Sequence, residues 1–369
     1  MNELSKTLPE TMNAMVLMGH GDMDKLVWHE DWPVPVPQGA EVLIKVSACG
    51  MNNTDVNTRS GWYSKSVESA TTGAAYGEVS EDDPAWGGSP ISFPRIQGAD
   101  VAGYVVACGP DADASLLDKR VITDNWLRDW ANPLNKDRTG YFGSECNGGF
   151  AQYTTVDYRN VAAVESNLTD AELATFSCSY STAEGMLNRA HVVADDTVLV
   201  TGASGGVGSA LIQLAKRRGA KVIAMASEVK HDAVSKLSPD AILSRSPANL
   251  KAALKAATGV ETVSVVADIV GGDYFPTVID VLARGGRYTC SGAIAGPMVS
   301  LDLRTLYLRD LTFTGSTVIP PHVFTDLVSY IERGEILPLV AATYPLRDLH
   351  AAQQAFIDKK HMGNIVVCP

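Results

Sequence analysis

The sequence predicts an α/β protein built on a doubly wound parallel sheet, with a second, irregular and β-rich unit attached to it. Three observations carry that prediction. An apolar run, a glycine-rich turn and an amphipathic helix follow one another without a break over residues 198–216. From about Thr169 onward, strand-like and helical stretches alternate, the pattern of a parallel sheet with crossover helices. Before that point the chain is a series of short β-type runs punctuated by Pro and Gly, as in residues 32–39.

In chain order, residues 12–18, 41–48, 101–109, 120–123 and 149–156 read as strands of a largely antiparallel unit. Residues 169–189 read as mainly helical. Residues 198–202, 221–226, 264–270, 286–292 and 311–317 read as strands of the parallel sheet, with helices between them. Helices around 322–333 and 349–359 and a strand at 364–368 complete the series. The polar, acidic stretch 64–92 is an irregular insertion, read either as an active-site lid or as a surface excursion.

The glycine-rich turn is the chemically informative segment. Gly205, Gly206 and Gly208 allow a sharp bend, a close backbone approach to a pyrophosphate and tight helix–sheet packing. The helix that follows directs its free N–H groups and positive dipole end at the turn, which favours an anion. A second strand at 220–226 places the turn in a strand-turn-helix-strand unit of about 30 residues. A dinucleotide is the expected ligand, with Ser204, Gly205, Gly206 and Val207 lining its site.

Composition narrows the function. The 369 residues suit two domains, and 46% hydrophobic with 20% charged residues is ordinary for a globular protein. A net charge of −12 speaks against nucleic acid or an anionic membrane surface as partner. No apolar run reaches the ~20 residues that cross a bilayer, and the first residues lack a secretory apolar region, so a cytoplasmic location is expected. Six scattered cysteines without a C-x-x-C pair read as reduced thiols.

These motifs together resemble the medium-chain dehydrogenase/reductase superfamily, and within it the zinc-free, quinone-oxidoreductase-like branch. The resemblance runs through the strand at 41–46, residues 49–55, 93–103 and 118–121, the stretch 148–153, the turn at 201–208, residues 284–287 and the closing 363–367. It implies a GroES-like catalytic domain split in sequence, 1–168 and 319–369, around a central Rossmann domain at 169–318. It also implies a metal-free site. The zinc alcohol dehydrogenases carry Cys-His-Thr-Asp where this chain has Asn52-Asn53-Thr54-Asp55, and Gly-His-Glu where it has Gly98-Ala99-Asp100. Cys178 stands about where a third ligand would be, and one thiol does not hold a catalytic zinc. A site improvised from Cys49, Asp100 and Cys178 is a remote alternative to core packing.

Without a metal to polarise a simple ketone, the resemblance implies hydride addition to a quinone or to a carbon–carbon double bond conjugated to a carbonyl. Negative charge then develops on an oxygen that hydrogen-bond donors can stabilise. Tyr63 is expected as the proton or hydrogen-bond donor and Asn52 as a polar orienter; the plainer reading makes them a rim aromatic and a turn former. Trp62, Trp126 and Trp130 are candidate walls of an apolar pocket, and Asp55 a brace for the loop.

Ala226 stands where an NAD site usually places a carboxylate, while Ser227 and Lys230 suit a ribose 2′-phosphate. NADP(H) is therefore expected over NAD(H), with Glu228 as the complication. Val270, Gly292, Ala293, Ile294 and Asn364 are expected around the nicotinamide half. The expected protein is a homodimer, paired through the strand at 311–317, that reduces a small molecule. The alternatives are an alcohol dehydrogenase or carbonyl reductase, and an NADP-binding structural or regulatory protein with little turnover.

Overall fold

The structure is a computed structural model that describes residues 8–76 and 90–369. Its first half contributes β1 (Thr11–Leu17), β2 (Leu26–Pro33), β3 (Glu41–Gly50), α1 (Asn53–Ser60), β4 (Arg95–Ile96), β5 (Asp100–Cys108), β6 (Arg120–Thr123), β7 (Trp126–Arg128), β8 (Thr139–Tyr141), β9 (Tyr153–Asp157) and β10 (Val161–Ala163). There follow α2 (Asp170–Leu173), α3 (Ser177–Arg189), β11 (Thr197–Val200), α4 (Gly206–Arg217), β12 (Lys221–Ala226), α5 (His231–Ser235), β13 (Ala241–Ser244), α6 (Leu250–Thr258), β14 (Val263–Asp268), α7 (Phe275–Asp280) and β15 (Leu282–Cys290). The last elements are α8 (Leu303–Leu308), β16 (Thr312–Gly315), α9 (Pro321–Glu332), β17 (Val340–Pro345), α10 (Leu349–Ile357) and β18 (Asn364–Cys368).

The central sheet is parallel throughout, in the order β13-β12-β11-β14-β15-β16. Its strand order reverses between β11 and β14, the Rossmann arrangement, in which a ligand binds outside the carboxyl ends of the strands at the reversal. Both faces are covered. Val198 and Val200 face a core shared with α3, α4 and α9, while Leu199, Ile223 and Val266 face one shared with Leu254, Phe275 and Tyr288. This two-sided burial explains why β11, β12 and β14 read as continuous apolar runs.

The GroES-like sheet runs β10-β6-β5-β3-β18-β17, with β9 also paired to β3. A smaller sheet, β2-β1-β4, joins it through the Ala14–Ala151 bridge. Strand β18 enters antiparallel to β3 and parallel to β17, so residues from the far end of the sequence complete a sheet begun by the first fifty.

Several boundaries differ from the sequence reading. The helical stretch 169–189 is broken into α2 and α3 around Thr175 and Phe176; Thr169 and Glu172 form a reciprocal cap at the start of α2. The strand expected at 149–156 starts only at Tyr153, because Gly149 and Phe150 instead donate to the carbonyls of Gly98 and Gln97. The sequence reading names no strand at β2, β4, β7, β8, β10, β13 or β17. Among the described residues no helix is long and apolar enough to cross a membrane.

Candidate cofactor and substrate site

The phosphate turn is built as the glycines require. Gly205 caps α4 with extended backbone, and the nearest atom to a Cβ placed there is Gly202 O at 3.6 Å, so its face is open. A Cβ on Gly208 would lie 2.2 Å from Gly202 O, and one on Gly206 would lie 2.4 Å from Ser179 Oγ. Gly208 thus serves helix–turn packing, while Gly205 leaves room for an approaching anion at the positive end of α4. The turn is also tied to the chain after α10: Gly363 N donates to Ser204 O at 3.0 Å, and Gly205 and Gly363 form a parallel bridge.

Beyond β14, the Val270–Gly272 turn is fixed by the buried carboxylate of Asp268. It accepts from Thr201 Oγ1 at 2.5 Å, Tyr288 Oη at 2.8 Å and Val270 N at 2.8 Å. Gly271 and Gly272 both take positive φ, 61° and 65°, which an L side chain disfavours.

A cavity of about 580 Å³ opens beside these turns. It brings together Asn52, Tyr63, Gly206, Val207, the Gly292-Ala293-Ile294 segment and Asn364, all anticipated from sequence. Ser204, Gly205, Val270, Ser227 and Lys230 do not line it. The first three stand at the strand ends behind it, and the last two lie at the tip of β12. Trp62 and Trp126 are in its wall, but Trp130 is not. That indole lies under Arg128 and Arg159 and donates to Asn160 Oδ1 at 3.3 Å.

The described part of the 64–92 insertion borders the cavity through Ser64, Lys65, Val67 and Thr71, and Thr71 N donates to Ile294 O at 3.0 Å. Its acidic stretch, with Glu78, Glu81, Asp82 and Asp83, lies outside the described residues.

Asn52 precedes α1, and its backbone N–H is held by Asp55 Oδ2 at 2.8 Å, the brace that the loop reading assigned to Asp55. Asn52 is 7% exposed, and its Nδ2 has no partner at hydrogen-bond distance, though the amide is near enough to Asp100 to favour the carboxylate there. Burial pushes the Tyr63 hydroxyl up to about 12, against the opposing hydrogen bonds of Thr54 and Asn57. At neutral pH it therefore carries its proton and can donate it.

Behind this wall lies a polar group of which the sequence reading set only Asp100 and Cys178 together, as a remote metal alternative, and missed Asn125 and Tyr141. Asp100 Oδ1 accepts from Asn125 Nδ2 at 2.8 Å and from Cys178 N at 3.0 Å. Asn125 also reaches Tyr141 Oη at 3.2 Å, and that hydroxyl donates to Cys178 Sγ at 3.2 Å. Burial raises Asp55 and Asp100 to about 7, and the nearby Asp100 charge adds to the rise at Asp55. Burial and the same carboxyl push the Cys178 thiol far above its usual range. Tyr141 and Cys178 both line the cavity, yet they stand on different elements and share no local motif.

These residues do not fit a zinc ion. Among the described residues no three His, Cys, Asp or Glu side chains gather closely enough to hold a metal. Cys178 Sγ is already engaged by Tyr141, and Cys49 is turned to its own neighbour's carbonyl. A pyridine nucleotide does fit: an open glycine turn at a helix N-terminus, at the strand-order reversal, leads into a cavity of suitable size.

Known proteins agree with this geometry. Residues 38–166 match the family model described as alcohol dehydrogenase GroES-like domain, and residues 206–333 the one described as zinc-binding dehydrogenase. A crystal structure from Sinorhizobium meliloti 1021, described as a candidate alcohol dehydrogenase, is 44% identical. It covers 99% of this chain and 98% of its own, with a TM-score of 0.89. The NAD-dependent alcohol dehydrogenase of Sulfolobus acidocaldarius is 27% identical over 352 residues, 92% of this chain and 95% of that protein. The quinone oxidoreductase of Pongo abelii is 25% identical over 354 residues, 94% of each. With both halves matched, the Rossmann and GroES-like sheets in place and a relative this similar along its whole length, the chain belongs to the medium-chain dehydrogenase/reductase superfamily and is an oxidoreductase that works with a pyridine nucleotide.

Proposed function

We propose that the protein is a zinc-independent, NADPH-dependent reductase of quinones or α,β-unsaturated carbonyl compounds. The observation that carries this reading is the pairing, in one cavity, of the Asn52 amide with the protonated Tyr63 hydroxyl. The nicotinamide ring, when bound, supplies a hydride. The hydride adds to the carbon β to the carbonyl, and the electron pair of the double bond moves to the oxygen. Tyr63 donates to that oxygen as its charge grows, and the proton it passes on is replaced from solvent. Asn52 Nδ2 orients the same end of the substrate, while Trp62, Trp126 and Phe356 exclude water.

NADPH is favoured because Ala226 ends β12 without a carboxylate, and Ser227 and Lys230 follow it. The test is NADPH oxidation by chelator-treated protein against quinones, enones and simple ketones, with NADH run in parallel. Turnover of quinones or enones with NADPH is the expected result. Turnover confined to ketones would favour the alcohol dehydrogenase reading, which the description of the 44% identical structure supports.

The same proposal includes a cytoplasmic homodimer. Strand β16 is the free edge of the parallel sheet, and beside it Met298, Leu303, Tyr307 and Leu308 are all more than half exposed. The domain division proposed from sequence, 1–168 with 319–369 around 169–318, is kept with one change: α9 packs into the core of the Rossmann unit through Val323, Phe324 and Leu327, so the return to the GroES-like unit is placed after it.

A further inference from the structure

The cavity wall carries one charge that hydride transfer does not use. Among the described residues that line the cavity, Lys65 is the only one with a side chain charged at neutral pH; no Asp, Glu, Arg or His is among them. The whole chain has 42 acidic residues against 30 Lys and Arg, so a wall that holds a cation and no acid runs against its composition. Lys65 is exposed at the cavity rim, and among the described residues it has no hydrogen-bond or ion-pair partner. Glu68, three residues on, does not line the cavity. The carboxyls of Asp55 and Asp100 lie behind the wall, buried and engaged by Asn52 N and Asn125 Nδ2.

The backbone that presents Lys65 is built, not loose. Val67 N donates to Ser64 O at 3.0 Å, which closes a turn with Lys65 at its corner. Trp62 Nε1 donates to Ser69 O at 3.0 Å, and Tyr76 Oη to Ala70 O at 2.5 Å. Farther along, Ala75 N donates to Asp22 Oδ1 at 2.7 Å. Arg59, with no exposed surface, donates to Gly73 O at 2.8 Å, to Gly21 O at 2.7 Å and to Gln353 Oε1 at 3.0 Å. Together with the Thr71–Ile294 bond, these contacts fix the chain around Lys65 against α1, α10 and the turn beyond β15.

We propose that Lys65 selects unsaturated carbonyl substrates that carry a carboxylate, which the ammonium receives at the rim while Tyr63 and Asn52 hold the carbonyl. This rests on the enone reading above and names its substrate class. One ammonium balances one negative charge and offers three donors to carboxylate oxygens, whereas a phosphate dianion would keep a charge uncompensated. A neutral substrate gains nothing from the cation, and a cationic one is repelled by it. The net charge of −12 also repels an anionic substrate at a distance, so a local cation is what such a substrate needs at the entrance.

The test compares two enones with NADPH, one bearing a carboxylate two methylene groups from the double bond and the other its methyl ester, so that the reacting atoms are alike. The readout is the ratio of their kcat/KM values. Wild type is expected to favour the carboxylate by about five- to tenfold, through KM, and to lose the preference as salt is raised. Lys65→Met should bring the ratio to about one or below, and Lys65→Arg should keep it above one. A ratio unchanged by Lys65→Met overturns the assignment of Lys65, and a wild-type ratio of one overturns the substrate class; both leave the enone reading standing. Turnover of neither compound, with simple ketones reduced, overturns the enone reading and this inference with it.

Discussion

Tyr141 spends its hydroxyl proton on the thiol of Cys178, at 3.2 Å, while that same hydroxyl contacts Asn125 Nδ2. Burial and the nearby Asp100 carboxyl oppose ionisation of the thiol and outweigh the Tyr141 hydrogen bond, which on its own would favour the thiolate. Because only the thiolate reacts, Cys178 is expected to resist iodoacetamide at pH 7–8 in the native protein and to react readily once the chain is unfolded in urea. Peptide mass spectrometry reads the difference; rapid native labelling would show that the thiol is not held this way.

Asp55 and Asp100 predict a pH dependence of stability with a definite sign. In the folded protein both keep protons up to about pH 7; unfolded, they release them near their ordinary value of 3.8. Between those limits the folded state binds more protons, so stability falls as pH rises through that window and levels off above it. Asp100→Asn removes one group and relieves the other, and should shrink the loss between pH 5 and pH 8 by roughly 1 to 3 kcal/mol. Denaturant titrations of the two proteins across that range provide the comparison.

For Tyr63 the prediction concerns kcat. Tyr63→Phe keeps the ring against Trp62 but removes the donor, and should lower kcat on an enone by about 10²-fold with NADPH affinity unchanged. Stopped-flow hydride transfer and cofactor fluorescence separate the two effects. An unaltered rate would return Tyr63 to a wall of the pocket.

Two glycines only three residues apart should behave differently. Gly208→Ala drives a methyl group to 2.2 Å from Gly202 O and should cost about 1–3 kcal/mol of stability. Gly205→Ala has no such clash, with its nearest neighbour 3.6 Å away, and should melt like wild type while binding dinucleotide more weakly. Thermal melts with and without NADP⁺ distinguish them.

If the proposed dimer forms through the exposed apolar side of α8 and the free edge of β16, Leu303→Glu, at a residue 64% exposed, dissociates it without unfolding the subunit. Light scattering after size exclusion is the measurement. A wild-type monomer, or a variant dimer, would move the interface elsewhere.

Much of this was readable from the chain because the informative signals were local. The β11 turn and α4 announce themselves within twenty consecutive residues, and the buried strands of the parallel sheet are continuous apolar runs. Strand β13 escaped because Ala241–Ser244 is four residues long with a single buried side chain, too short for any periodicity. Strand β2 escaped for another reason: only Leu26 in it is buried, and it carries the consecutive polar residues His29, Glu30 and Asp31. At the site, Asn52 and Tyr63 belong to one stretch around α1. The contact of Tyr141 with Cys178 joins β8 to α3 and depends on the packing of the two sheets.

Strand β18 sets the order in which this enzyme can come into being. Val366 and Val367 seat against Gly50 and Cys49, so on the ribosome β3, paired by β5 on one side and by β9 along Glu41–Lys45 on the other, keeps its Cys49–Gly50 end open on that side while the whole Rossmann unit is synthesised. The Gly363 amide closes onto Ser204 in the same last step, and Asn364 enters the cavity wall with it. A nascent chain can therefore own a finished nucleotide fold before it owns a catalytic pocket.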